Sequence, residues 1–212
     1  IGVFMMLFGI NFNFYFLLFC GKLKAAFRNV EVKSYIGIMA TSIILIALNI
    51  RHMFGSFFEA LHQSAFQVSS VMTTTGYATT DFDKWPVFSR TVMLIVMCVG
   101  ACAGSTGGGF KVSRIVILAK SARRELKRLA HPRSVSVITM DGKRISDEVV
   151  TGTNVFFFIY VVVFVVSLLI VSTDGKDMVT NISGVIATLN NIGPGLELAG
   201  PTQNFGLFSM LT

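Results

Sequence analysis

Long uncharged apolar stretches alternate along this chain with shorter segments that are half polar, and the lengths of the two kinds predict the elements. Ile1–Gly21 is uncharged and rich in Phe and Leu. At about 1.5 Å per residue it can cross roughly 30 Å of hydrocarbon as one helix. Lys22, Lys24, Arg28 and Lys33 follow, opposed only by Glu31, and mark a cytoplasmic loop. Tyr35–Ile50 reads as a second span, slightly short at 16 uncharged residues, with Lys33 and Arg51 able to snorkel at its ends. Phe54–Thr73 has Phe57, Phe58, Leu61, Ala65, Phe66, Val68 and Met72 at helical spacing, which predicts a short amphipathic helix. Thr91–Val99 resumes as an apolar span and then breaks at glycines. Val112–Leu129 reads as an amphipathic helix leaving the membrane, and Ser134–Val150 alternates weakly as a polar hairpin or linker. Thr151–Thr173 holds 23 uncharged residues, about 35 Å as a helix and a comfortable span. After the short turn Asp174–Asp177, Met178–Leu189 is another modest helix, and Phe205–Leu211 begins a last apolar segment.

Between the second and third apolar segments lies Phe66–Trp85, centred on Thr73-Thr74-Thr75-Gly76-Tyr77. It is too polar for a span and too apolar for a solvated loop, so it predicts a re-entrant segment: a short helix enters the bilayer and the chain returns extended. Non-helical backbone at that depth must be buried in protein or line a watery path. Threonine, glycine and tyrosine in this order suit a ring of main-chain carbonyls that replaces the water around a potassium ion. Asn190-Asn191-Ile192-Gly193-Pro194-Gly195 stands in the same place after the Met178–Leu189 helix. Aligning the two glycines gives an offset of 117 residues (193 − 76), which also sets Tyr35 on Gly152 at the start of the Thr151 span. Both copies read span, short helix, glycine turn, span. The candidate ion-binding residues are Thr74, Thr75, Gly76, Tyr77, Asn191, Ile192, Gly193 and Pro194. The alternative for each copy is a plain glycine turn between helices. Helix C-terminal ends aimed inward would add about half a negative charge each, favouring a cation.

Composition agrees with a polytopic membrane protein: 53% of the 212 residues are hydrophobic and 14% charged, where soluble domains carry nearly twice that charge. The net charge of +7 does not indicate nucleic acid, because the basic residues gather in two loops beside apolar spans. From Lys111 to Arg133 there are eight basic residues against one acid, Glu125. Cys20, Cys98 and Cys102 lie within apolar segments as packing residues. Asp81 and Asp83 can concentrate cations at an outer mouth or simply be solvated, Trp85 suits a membrane interface, and Asn11 and Asn13 can bond another helix. Beginning inside an apolar run, the chain reads as a piece of a larger protein.

Gly100, Gly104, Gly107, Gly108 and Gly109 interrupt the third span, with Ser105 and Thr106 between them and Lys111 after them. Five glycines in ten residues cannot hold a regular helix, at about 1 kcal/mol each relative to alanine. The spacing does not fit a phosphate loop, since Val112 follows Lys111. A mobile constriction below the filter is the functional reading, and a kinked helix packed through small residues is the plain one. Lys111 either points into a cavity or snorkels. Paired carboxylates, histidines or a nucleophile within spans, as an enzyme would need, are not seen. A carrier with broken helices, binding a small solute or coupling sodium to cation transport, stays as the rival to a channel-like pore.

Thr73–Pro86, Ala103–Lys111 and Leu189–Gly195 together resemble the Trk/Ktr family of bacterial potassium-uptake membrane subunits, in the family's order and spacing. The resemblance implies an all-α membrane protein of four helix–pore loop–helix repeats around a pseudo-fourfold pore. Residues 1–33 would close the second repeat, 34–133 form the third, 134–150 a cytoplasmic linker and 151–212 most of the fourth. It implies potassium as cargo with no cofactor, and Gly100–Lys111 as an intramembrane loop obstructing the pore. It also implies a lipid-embedded homodimer in the bacterial plasma membrane, bound by a cytoplasmic nucleotide-binding regulatory subunit of the TrkA/KtrA kind.

Overall fold

The computed structural model describes residues 1–131 and 137–209. Arg133 of the basic stretch, the start of the expected linker at 134–136, and the end of the last apolar segment at 210–211 lie outside the described residues. Nine α-helices are seen among the described residues: α1 (Gly2–Phe8), α2 (Phe12–Phe19), α3 (Leu23–Arg28), α4 (Val30–Ile50), α5 (Phe57–Met72), α6 (Val87–Val99), α7 (Val112–Ala130), α8 (Asp147–Ser172) and α9 (Met178–Leu189). The fold is thus the expected α-helical one, with one small hairpin, β1 (Thr139–Met140) and β2 (Lys143–Arg144), in the polar segment. Its turn is Asp141-Gly142, both at positive φ (54° and 80°), the geometry that suits a two-residue hairpin.

Two helices are long and apolar enough to cross a membrane among the described residues: α4 with its 3-10 extension (Val30–Met53) and α8. Both begin earlier than the uncharged stretches suggest. The Asn29 side chain accepts from Val32 N and caps α4, and Ser146 does the same for α8 through Val149 N. Charged residues therefore enter the first turns, Glu31 in α4 and Asp147 and Glu148 in α8, where the helix dipole favours them.

Three expectations need correction. Ile1–Gly21 is not one straight helix: α1 and α2 meet at 88° across Gly9-Ile10-Asn11. Asn11 caps α2 by accepting from Asn13 N at 2.8 Å, while Gly9 packs so closely on Tyr35 and Thr73 that it admits no side chain. In α5 the two leading aromatics are outside: Phe57 is exposed and Phe58 is 80% exposed, whereas Ala60, Ser64, Gln67, Ser69 and Ser70 are buried with Val68, Val71 and Met72, and Phe66 is half-buried. Small and polar side chains let this helix approach its neighbours closely. Trp85 is buried against Phe82 rather than set at a surface. Of the apolar stretch from Phe205, the first three residues form a 3-10 turn.

The core is made where α4 packs against α5 and α6, α1 against α5, and α6 against α9. Tyr35, Met39, Ile46, Met72, Met93, Met97 and Leu196 are buried there. The Asp83 carboxylate accepts from Glu197 N at 2.9 Å and from Arg90, and Arg90 also pairs with Glu197 at 2.5 Å. These contacts join the segments that follow the two glycine turns.

Gly9→Ala forces a methyl group against Thr73 Cγ2, 2.7 Å from the position it would take, and against the Tyr35 ring. This overpacking should cost about 1–3 kcal/mol, read as a lowered thermal midpoint of the detergent-solubilised protein.

Candidate functional site

Each glycine turn follows the C-terminus of a short helix, and the two share their first reversing hydrogen bonds at the offset of 117; the longer Gly76 N to Ser70 O contact at 3.4 Å has no counterpart at Gly193. Thr75 N donates to Ser70 O and Ile192 N to Ala187 O, both at 2.8 Å; Thr74 N donates to Val71 O and Asn191 N to Thr188 O, both at 3.1 Å. The caps match too, Thr73 at φ −88° and Asn190 at −98°. Thr74 (φ 56°) and Asn191 (φ 55°) are left-handed, as are Gly76 (78°) and Gly193 (109°). Two left-handed residues around one ordinary one reverse the chain within three residues. The second such position falls to glycine because a side chain there is strained.

This backbone leaves oxygens over. Among the described residues, the carbonyls of Thr73–Gly76 and of Asn190–Gly193 accept no hydrogen bond. Groups of this kind inside protein are almost always paired. The Tyr77 carbonyl differs, accepting from Ser70 Oγ at 2.6 Å, and the Tyr77 ring is exposed. The two turns also meet. A Cβ on Gly76 would run into the Ile192 carbonyl oxygen and lie 3.3 Å from Pro194 Cδ. Thr74, Thr75, Thr188, Asn191, Ile192 and Gly193 line one cavity of about 740 Å³. All eight candidate ion-binding residues therefore lie in one place, six of them in the two turns' reversals and Tyr77 and Pro194 just beyond.

The glycine loop, 100–111, lies against both turns. Gly108 N donates to Thr74 Oγ1 at 2.6 Å. A Cβ on Gly107 would stand 3.1 Å from Thr73 O, and one on Gly108 2.7 Å from Asn190 O. These approaches explain the glycines at 107 and 108, while Gly100, Gly104 and Gly109 take φ between 69° and 79°. Ser105 Oγ bonds Cys102 O, Thr106 Oγ1 reaches Phe8 O, and Lys111 Nζ donates to Gly107 O, closing the loop on itself. Lys111 is half-buried and stands at φ 82°, neither free in a cavity nor extended to a surface.

Several supporting residues escaped sequence reasoning. Asn190 is fully buried: its Nδ2 donates to Met97 O and Tyr160 Oη, both at 3.0 Å, and its Oδ1 accepts from Tyr160 at 3.2 Å. It fixes the second turn to α6 and α8. Thr73, at the equivalent position, uses its hydroxyl locally, on Ser69 O and Thr75 Oγ1. Glu31, expected in a solvated loop, is 3% exposed and accepts from Ala103 N. A lone acid among basic residues offered a signal for it, and Asn190 beside a turn asparagine offered none. Asp81 and Asp83 are spent on structure, Asp81 capping a 3-10 turn and Asp83 holding Glu197 N. Asn11 does reach another helix, its Nδ2 donating to Glu31 at 3.3 Å.

A family model described as TrkH, cation transport protein, matches residues 3–211. The chain belongs to the TrkH family. It is 38% identical over 199 residues to the Trk system potassium uptake protein TrkH of Salmonella typhimurium, covering 92% of this chain and 41% of that protein. It is 31% identical over 214 residues to the TrkG protein of Escherichia coli K12, covering 98% and 43%. Its fold matches the crystal structure of the potassium transporter TrkH from Vibrio parahaemolyticus with a TM-score of 0.87 at 38% identity, over 97% of this chain and 44% of that one. The chain thus spans less than half the length of these relatives.

Replacing Thr74 by Val keeps the shape and deletes the acceptor for Gly108 N. Amide hydrogen exchange over 105–110 should quicken by about tenfold, the loss of one ordinary to strong hydrogen bond, while α7 exchanges as before.

Proposed function

We propose that this chain supplies two of the filter segments and the gate of a potassium-uptake pore. One observation carries the reading: two turns of closely similar backbone construction, with main-chain oxygens that accept no hydrogen bond among the described residues, line one cavity. Thr74, Thr75, Gly76 and Tyr77, with Asn191, Ile192, Gly193 and Pro194, are the filter positions, the main-chain oxygens of the reversals standing in for an ion's hydration shell. The C-terminal ends of α5 and α9 stop at Met72 and Leu189, immediately before the turns, and their dipoles favour a cation there. Potassium is the cargo and moves down its electrochemical gradient, with no bond made or broken. The reading is supported by the relatives, whose names are those of potassium uptake proteins.

Two turns cannot surround an ion, so further repeats complete a pseudo-fourfold ring. In that arrangement residues 1–33 close a preceding repeat, 34–133 form one repeat, 134–150 link, and 151–212 belong to the next. The loop Gly100–Lys111 lies under the filter and obstructs it. The complete protein sits in the bacterial inner membrane as a homodimer. The basic face of α7 lies near a nucleotide-binding regulatory subunit of the TrkA/KtrA kind.

The filter is tested by Gly76→Ala in the full-length protein reconstituted in liposomes. A methyl group driven into the Ile192 carbonyl should lower the potassium-to-sodium uptake ratio by about tenfold, equivalent to about 1.4 kcal/mol. An unchanged ratio sinks the filter assignment. Removing residues between Gly104 and Gly109 should raise potassium flux severalfold; native flux from folded protein would make the loop a structural kink.

A further inference from the structure

The glycine loop is gripped at its base by the break in the first apolar segment. Cys102 N donates to Gly9 O at 3.1 Å, and Phe12 N donates to Gly104 O at 3.0 Å. Between these two bonds, Ala103 N donates to Glu31 Oε1 at 2.5 Å, from a helix 72 residues earlier. The other carboxylate oxygen accepts from Asn11 Nδ2 at 3.3 Å, and Asn11 Oδ1 is held by Asn13 N. A Cβ on Gly104 would lie 3.4 Å from Asn11 Oδ1, so this residue too rests on the asparagine.

Glu31 is an unusual choice for the post. It is 3% exposed, and it makes no ion pair among the described residues. Burying a carboxylate is costly unless hydrogen bonds and nearby positive potential compensate. Here its position in the first turn of α4 supplies the helix dipole, and Lys111, at the far end of the loop, lies within electrostatic reach. A neutral acceptor would satisfy Ala103 N at less desolvation. What a carboxylate adds is strength, since charge-assisted hydrogen bonds are shorter and roughly twice as strong as neutral ones.

We propose that Glu31 is a positioning residue, a buried carboxylate that latches the base of the glycine loop to α4 and the α1–α2 break and so holds the loop beneath the filter. It touches no ion; it acts through the loop, and its effect should fall on how often the path is open. The proposal rests on the loop's obstructing the pore.

The test is rubidium uptake, as a potassium analogue, by proteoliposomes of the full-length protein. Glu31→Ala should raise maximal uptake by about tenfold or more, the bias carried by one charge-assisted hydrogen bond, with KM unchanged because the filter is untouched. Glu31→Gln keeps an acceptor for Ala103 N but not the charge, and should fall between native and Glu31→Ala. Asn11→Ala should give a smaller rise. Should Glu31→Ala fail to fold, the Gln and Asn11 variants decide the matter. Maximal uptake at the native level in both overturns the latch, as does a fall in uptake that tracks a lowered thermal midpoint, the mark of a merely structural role. A loop shortened between Gly104 and Gly109 is the control. If it conducts faster while the Glu31 variants do not, the latch alone is wrong; if it too stays native, the obstruction and the latch fall together.

Discussion

The structure is organised around two runs of main-chain oxygens that, among the described residues, accept no hydrogen bond. The two runs stand side by side at the ends of α5 and α9, where the turns line one cavity. The rest of the fold is arranged around holding them. Short helices bring the chain to the spot and stop, and paired left-handed residues reverse it within three positions. Asp83, Arg90 and Glu197 bind the segments beyond the two turns to each other.

The two copies reach the same backbone by different side chains. The first uses hydroxyls bonded locally, Thr73 to Ser69 and Thr75, and Ser70 to Tyr77. The second uses Asn190, reaching across to Met97 and Tyr160. Equal hydrogen-bond distances at 117-residue spacing in spite of this mean that the backbone path is the shared feature and the side chains are local solutions to it. The same holds for the adjoining glycine loop, whose residues 107 and 108 approach the Thr73 and Asn190 carbonyls so closely that a Cβ would be crowded.

Much of this was legible from residue order. The repeat, the two turns, the glycine loop and the two long spans follow from periodicity, glycine placement and charge, which act within a few residues of one another. What was hidden acts across the chain. Ile1–Gly21 is uncharged throughout, so charge and length cannot register that Asn11 caps a new helix and that Gly9 must fit under Tyr35. Phe57 and Phe58 of α5 read as part of a core face, yet they are exposed, because close helix packing selected Ser64, Ser69 and Ser70 for the inside. Trp85 and Glu31 are both more buried than amphipathic habit alone suggests. Each is buried by partners distant in sequence, Glu31 by Ala103 and Trp85 within the core that α4, α5 and α6 share.

The hairpin outside the spans is tied at two points. Lys120 of α7 donates to Thr139 O at 2.6 Å, and Asp141 Oδ1 accepts from Val30 N at 2.7 Å. Val30 is the covalent neighbour of Glu31. The ribbon is thus fixed to the first residue of α4, one peptide link from the carboxylate that Ala103 N bonds, so the hairpin and the glycine loop are both tied to the same helix end.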